Sequence, residues 1–223
     1  MLEARDGFTQ AFAFGRNGKS RGIELPPNVP FGITDWYIKL YACCRHIQPA
    51  IEALIDLMNE NNLADSDIQD VQVETYNIAA EHAHTGWQDY ASAQLSFPYI
   101  MALGMRHRWI RIEHFEDKQR NDPALARLCN LVHVQGTPEQ DRLYPEQQPA
   151  NVTVTTERGR FTKQAFEALG ARQVPLDDRR LGEKFHDLVD PALGRERADM
   201  LLEMLWALDD LDNVKPLLDA TMR

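Results

Sequence analysis

The sequence predicts an α+β fold, in which a small mixed helix-and-sheet domain is followed by C-terminal helices. Short stretches with strand character, at residues 36–42, 68–77 and 152–156, are separated by helical segments without a regular strand–helix repeat. Residues 177–223 carry only helical patterns. The hydrophobic fraction of 43% is sufficient for one substantial core.

The N-terminal elements are predicted from turn residues and apolar spacing. Residues 2–14 show a short helical or turn-like pattern, and residues 15–32 hold four glycines and three prolines, as in a loop or linker. Residues 36–42 alternate and are rich in aromatic side chains, which predicts a strand. A helix then runs to about Asn61, because Pro49 suits a first helical turn and the apolar residues after it keep helical spacing.

The rest of the chain alternates before it becomes helical. The middle segments are predicted as a strand at 68–77, a loop at 78–89, a helix at 90–107, a helix at 123–133 and a loop at 136–149. The C-terminal segments are predicted as a hairpin with strands at 152–156 and from Phe161, a helix from Asp177 or Asp178 through Leu188, a helix at about 194–210 and a short helix from Val214. The predicted domains are residues 1–32, 33–172 and 173–223.

Charge and cysteine content restrict the partners and the compartment. The net charge of −10 argues against nucleic acid and anionic membranes as partners. The same charge repels an anionic substrate, so a carboxylate ligand requires a locally basic site. Three cysteines, two of them adjacent, form a poor disulfide framework, and the sequence shows no signal peptide or membrane-spanning run. We therefore expect a cytoplasmic protein.

One candidate site lies at the junction between the predicted strand at 36–42 and the helix that begins near Pro49. Lys39, Arg45 and His46 cluster there, and a helix N-terminus favours anions. An arginine can hold a carboxylate through two hydrogen bonds, and a histidine can move a proton near neutral pH. A solvated basic turn explains the same residues equally well.

A second candidate site lies in the helix predicted at 90–107. Ser96 and Tyr99 are three residues apart and share a helix face, and Pro98 removes a helical hydrogen bond. The two hydroxyls can bind a ligand, although a kinked core helix with Tyr99 as a packing residue is the favoured alternative. His82 and His84 have a metal-like spacing but no second ligand pair, so we interpret them as surface or packing residues and predict no metal site.

These motifs resemble the MmgE/PrpD family, whose members include 2-methylcitrate dehydratase, cis-aconitate decarboxylase and iminodisuccinate epimerase. Residues 38–51 are similar to the family's K-x-Y-x-x-C-R-x-x-H-x-A stretch, and residues 93–102 to its A-x-F-S-x-P-Y-x-x-A stretch. Residues 67–75 resemble a connecting strand, and residues 181–185 a recurring L-x-x-K-F motif. Residues 2–8 resemble the junction that closes the family's first helical domain.

The resemblance implies a lyase or isomerase that acts on small di- or tricarboxylates without metal or organic cofactor. The reaction begins with proton abstraction next to a carboxylate, followed by loss of water or CO₂ or by re-protonation. His46 is the implied proton carrier, although the family's usual histidine falls near Gln48. The implied substrate-binding residues are Lys39, Arg45, Gln48, Ser96 and Tyr99.

The resemblance covers only a C-terminal half. In the family, an all-helical domain built from the N-terminal half and the last helices completes the cleft, and its histidines and lysine have no counterpart here. An apolar stripe along the last helices, including Met200, Met204 and Leu208, then needs a partner, either a second copy or a separate N-terminal half. It can instead cover the chain's own sheet. The alternative function is a non-catalytic remnant or dimerisation module, so whether the chain alone is an enzyme stays open.

Overall fold

The computed structural model describes residues 36–222. The helices are α1 Gln48–Glu60, α2 Asn77–Ala80, α3 Tyr90–Leu95, α4 Phe97–His107, α5 Asp117–Arg120, α6 Pro123–Cys129, α7 Pro138–Asp141, α8 Asp178–Leu193, α9 Arg195–Trp206 and α10 Lys215–Thr221. The strands are β1 Ile68–Thr75, β2 Val132–Gly136, β3 Ala150–Thr156 and β4 Gly159–Ala165. This content confirms the predicted α+β class. The elements predicted at 2–14 and 15–32, and with them the domain 1–32, lie outside the described residues.

The four strands form one mixed sheet in the order β2-β1-β3-β4. β1 pairs in parallel with β2 and antiparallel with β3, and β3 and β4 form the predicted hairpin. Val71 and Val73 on β1 are fully buried, as are Val152 and Val154 on β3. Because successive side chains of a strand point to opposite faces, these valines form one buried face. α1 packs on β3 and β4, and α4 packs on β2.

The core includes a close contact between α1 and α4. α1 has the apolar spacing predicted for it, and Ile51 and Leu54 on its buried face are fully shielded from solvent. Gly104 of α4 lies against these two side chains, and a Cβ at this position would overlap Ile51 Cδ1. The glycine therefore allows the two helices to approach closely.

The strand predicted at residues 36–42 is wrong. Residues 36–39 are irregular and residues 40–43 form bends. Ile38 N–H donates to the Gly170 carbonyl at 2.9 Å, which is a single contact and not a ladder. The carbonyls of Tyr41 and Cys43 instead accept from the Gln48 side chain, at 3.2 and 3.5 Å. An alternating pattern predicts a strand only where a neighbouring strand is available to pair with it.

The continuous helix predicted at 90–107 is also wrong, because the chain breaks at Ser96 between α3 and α4. Ser96 has extended backbone dihedral angles, and its side chain caps α4 by accepting from Tyr99 N–H at 3.4 Å. Pro98 consequently lies in the first turn of α4, where the nitrogen of a residue has no helical acceptor. The proline therefore begins a helix and does not kink one.

Other boundaries differ for local reasons. The helix predicted to reach His133 ends at Cys129, and β2 follows within the segments predicted as helix and loop. The loop predicted at 78–89 contains the end of α2 and the 3-10 turn Glu81–His84. α8 continues past Leu188 to Leu193. Among residues 36–222, no helix has both the length and the apolar character required to cross a bilayer. The predicted boundary at 172/173 stays a prediction.

Candidate functional site

The candidate site is built around a 3-10 turn, Arg45–Ile47, that leads directly into α1. Pro49 occupies the start of α1, as the sequence predicts. Gln48 is 1% exposed, and its amide holds the preceding loop through the carbonyls of Tyr41 and Cys43. Burying a polar group costs free energy unless the group is hydrogen-bonded. These contacts therefore hold Gln48 in place and stabilise the turn that precedes it.

Arg45, the first residue of this turn, forms a largely buried ion pair. Its guanidinium contacts Glu167 at 3.3 Å and stacks 4.4 Å from the ring of Tyr37. Burial raises the pKa of Glu167, and the positive charge of Arg45 opposes that rise. Among the described residues, Arg45 Nε has no hydrogen-bond partner. Because Glu167 already contacts the guanidinium, a ligand carboxylate can bind Arg45 only if it shares the guanidinium with Glu167 or displaces Glu167.

His46 is hydrogen-bonded to a buried tyrosine. Its Nδ1 lies 2.7 Å from the hydroxyl oxygen of Tyr76, whose ring stacks on Tyr144 with 4.6 Å between centroids. Burial lowers the pKa of His46, and the charges of nearby groups, including Arg45 and Lys39, lower it further. Burial also raises the pKa of Tyr76. At neutral pH the pair therefore consists of an uncharged imidazole and an uncharged phenol.

His82 joins this cluster from the 3-10 turn Glu81–His84. Its ring stacks on His46 with 6.3 Å between centroids, and its Nε2 lies 3.6 Å from Cys44 Sγ. Burial lowers its pKa. His84, two residues later, is exposed. Within residues 36–222, no group of three or more histidine, cysteine or carboxylate side chains is arranged to hold a metal ion.

Lys39 lies at the rim of a concavity of about 460 Å³ beside the turn. The walls also include Cys44, Gln94 of α3 and Lys184 of α8. Cys44 N–H donates to the Gln94 carbonyl at 2.9 Å, and Gln94 Nε2 donates to the Ala42 carbonyl at 3.1 Å. These reciprocal bonds tie the turn to α3. Neither His46 nor His82 lines the concavity; Cys44, which does, connects it to the histidines through the contact with His82.

A larger groove of about 820 Å³ lies between α8, α9 and the segment that follows α4. Its charged groups largely pair with one another: Arg111 contacts Asp187 at 3.0 Å, and Arg195 contacts Asp190 at 3.4 Å. None of the six predicted site residues lines it. Size alone does not make a site, and the chemistry favours the smaller concavity beside the turn.

Comparison with known proteins places the chain in a family. The model of the MmgE/PrpD C-terminal domain matches residues 41–210. The chain belongs to the MmgE/PrpD family. It is 24% identical over 198 residues to a cis-aconitate decarboxylase from Aspergillus terreus, and 25% identical to a second sequence of that name from strain NIH 2624 / FGSC A1156. Each match covers 82% of this chain but only 39% of the relative, so the chain spans well under half the length of these curated proteins.

The MmgE/PrpD motifs divide into two groups in the structure. Arg45 and His46 are adjacent in the turn, and the charge of Lys39 acts on His46, whereas their roles in a site stay predictions. Ser96 and Tyr99 are fully buried, and neither lines the concavity. The Ser96 hydroxyl donates to the Thr85 carbonyl at 2.6 Å, and the Tyr99 hydroxyl donates to the His114 carbonyl at 2.7 Å. Both hydroxyls therefore have internal partners, as does the amide of Gln48, and substrate contacts by these three residues stay predictions.

Several members of the cluster were missed by sequence reasoning within this MmgE/PrpD segment. The missed residues, Tyr76, Tyr144 and Glu167, are distant from the turn in sequence. Tyr76 is 30 positions from His46, and Glu167 is 122 positions from Arg45. No local pattern marks them. The sequence predicts a surface or packing role for His82 and includes Lys184 only in the L-x-x-K-F resemblance.

Proposed function

We propose that this chain is the C-terminal part of a cofactor-independent lyase or isomerase of the 2-methylcitrate dehydratase type, which acts on small di- or tricarboxylates. The observation that carries the proposal is the convergence of two cations, Lys39 and Arg45, with the His46–Tyr76 pair at one turn. A relative named cis-aconitate decarboxylase supports carboxylate chemistry in the same family.

His46 would act as the proton carrier. Its lowered pKa keeps the imidazole uncharged at neutral pH, which a general base requires. If Nδ1–H donates to the Tyr76 hydroxyl, Nε2 carries the lone pair that accepts a proton from the carbon next to a carboxylate. Tyr76 then fixes the tautomer and the ring orientation, so it serves as a positioning residue.

The cations would hold the substrate carboxylates. Lys39 is exposed at the rim of the concavity and can form charge-assisted hydrogen bonds without losing an internal partner seen in the described residues. Arg45 is already paired with Glu167, so its contribution is largely electrostatic until that pair opens. Ser96, Tyr99 and Gln48 would each have to exchange an internal hydrogen bond to contact a ligand.

The proposal includes an incomplete cleft. The chain spans 39% of the curated relatives, which is consistent with a helical half supplied by another segment or chain. Large apolar side chains of the C-terminal helices are exposed, among them Met200 at 54%, Trp206 at 55% and Leu218 at 57%. A second copy or an N-terminal half would cover them. Unpaired cysteines are consistent with a cytoplasmic location, which is also part of the proposal.

The test is turnover of cis-aconitate and 2-methylcitrate, followed by proton NMR. The chain is assayed alone, within the longest natural reading frame that contains it, and with any separately encoded helical half. We expect turnover only when the helical half is present, and a decrease in kcat of about 10²- to 10⁴-fold for His46→Gln. His84→Gln is the matched control and should leave kcat unchanged, because His84 is exposed and outside the cluster. Absence of turnover in every arrangement would contradict the proposal.

A non-catalytic assembly module is the second candidate, and specific contacts favour it. Gln48 lies near the position of the family's usual histidine and serves the backbone of its own loop. Ser96 and Tyr99 are likewise committed internally. Calorimetry with citrate separates the two functions. A heat of binding that disappears in Lys39→Gln supports a carboxylate site. No binding, together with a stable dimer in sedimentation, supports the module.

A further inference from the structure

The concavity beside the turn has an unusual charge for this chain. It is lined by Lys39 and Lys184, and none of its walls, all within residues 36–222, is acidic. The chain as a whole carries a net charge of −10. Two ammonium groups in an acid-free concavity attract small anions, and the attraction weakens as salt is added. The concavity is therefore suited to an anionic ligand.

A thiol lies in the wall of this concavity. All three cysteines of the chain lie in the described part. Cys43 and Cys44 both line the concavity, but Cys43 is only 5% exposed and Cys129 only 3%, whereas Cys44 is partly exposed. Burial raises the pKa of Cys129 to about 12 and also raises that of Cys43. Exchange reactions require an accessible thiolate, so the two buried thiols are poor nucleophiles.

An imidazole is positioned to accept the thiol proton. His82 Nε2 lies 3.6 Å from Cys44 Sγ, and the ring is supported from behind by His46. Burial lowers the pKa of His82, and in the tautomer protonated at Nδ1 the lone pair of Nε2 faces Cys44 Sγ. Nucleophile, base and anion-attracting walls therefore occur together at Cys44.

We propose that Cys44 is a site of thiol–disulfide exchange with small anionic disulfides. The Cys44 sulfur attacks one sulfur of the reagent, a new S–S bond forms to that half, and the original S–S bond breaks. The other half leaves as a thiolate and takes up the proton that Cys44 released through His82. The disulfide is the oxidant and is reduced to one thiol, so atoms and electrons balance. This site uses no step of the proposed lyase chemistry and is detected as an adduct on the chain itself.

The experiment compares three disulfides of different charge on the full chain: oxidised glutathione, which is anionic, 2-hydroxyethyl disulfide, which is neutral, and cystamine, which is cationic. Adducts are located by fragmentation mass spectrometry of peptides. We expect Cys44 to react at least about tenfold faster than Cys129, because access limits the exchange. Relative to each reagent's rate with free cysteine, oxidised glutathione should be fastest and cystamine slowest, and this order should disappear at high salt.

Matched variants test the parts separately. Lys184→Gln should slow oxidised glutathione by about three- to fivefold and leave the neutral reagent unchanged, as expected for the loss of one nearby charge. Lys118→Gln, an exposed lysine outside the concavity, should leave both rates unchanged. His82→Gln should slow all three reagents, and Cys44→Ser should abolish the adduct.

Any of the following results would overturn the proposal. The first is modification of Cys43 or Cys129 as fast as Cys44. The second is a normalised rate for cystamine that equals or exceeds that for oxidised glutathione at low salt. The third is an equal effect of Lys118→Gln and Lys184→Gln, or no effect of His82→Gln. Because each result is an adduct measurement, it leaves the lyase proposal untouched, and absence of turnover leaves this site untouched.

Discussion

Replacement of Tyr99 by phenylalanine separates a structural hydroxyl from a ligand-binding one. The hydroxyl donates to the His114 carbonyl at 2.7 Å, and both residues are buried, with exposures of 0% and 9%. Phenylalanine keeps the ring and its contact with Trp87, so no cavity is created. The cost is the lost hydrogen bond plus a buried carbonyl left without this donor, which together amount to about 1–2 kcal/mol of unfolding free energy.

The assay is urea unfolding followed by tryptophan fluorescence and circular dichroism, with Tyr90→Phe as the control. For a domain of this size, about 1–2 kcal/mol corresponds to a decrease in Tm of about 2–8 °C. Tyr90 is 43% exposed, so its variant should stay within about 0.5 kcal/mol of the parent. Unchanged stability in Tyr99→Phe, combined with loss of citrate binding, would refute the structural assignment and place the hydroxyl in the ligand site.

Three further predictions concern stability. Burial and the charge of His107 lower the pKa of His114 to about 4, so the unfolded chain binds the extra proton between about pH 6.5 and pH 4. Stability should therefore decrease as the pH falls through this window, and urea midpoints should show a shallower slope in His114→Gln; equal slopes would contradict this assignment. Gly104→Ala should destabilise by about 1 kcal/mol through overlap with Ile51, and Ile51→Val in the same chain should recover part of the loss, whereas simple additivity would exclude the overlap. Arg45→Met should cost about 3 kcal/mol because it leaves the Glu167 carboxylate buried without its cation, and Glu167→Gln in that background should recover stability; no recovery would mean that the ion pair is not the cause.

The fold was predictable where local pattern and tertiary environment agree. α1, β1 and the β3–β4 hairpin follow from apolar spacing and turn residues alone, because each packs against the core with the face that the pattern marks. Residues 36–42 have the alternation of a strand, but among the described residues no strand pairs with them, and the side chain of Gln48 donates to the Tyr41 carbonyl instead. β2 was missed because its partner in the parallel pair is remote in sequence.

The candidate site was predictable only for residues that are close together in sequence. Lys39, Arg45 and His46 are close in sequence, so one motif reveals all three. Tyr76 and Glu167 reach the turn through the sheet and the loop after it, and their positions depend on strand order, which the sequence pattern does not specify. Ser96 shows a different limit, because a helix cap and a ligand-binding hydroxyl have the same sequence signature.

The strand order has a consequence for synthesis on the ribosome. β1 lies between β2 and β3, and the first residues of β3 are made about eighty residues after β1, or roughly 4–16 seconds at ordinary elongation rates. Until β2 is made at residues 132–136, Val71 and Val73 have no strand on either side, and from then until β3 is made they can pair only with β2, whereas α1 and α4 can already pack together. The nascent chain therefore exposes an apolar strand with at least one unpaired edge, a surface of the kind that makes folding chains prone to aggregation, until residue 156 has left the exit tunnel.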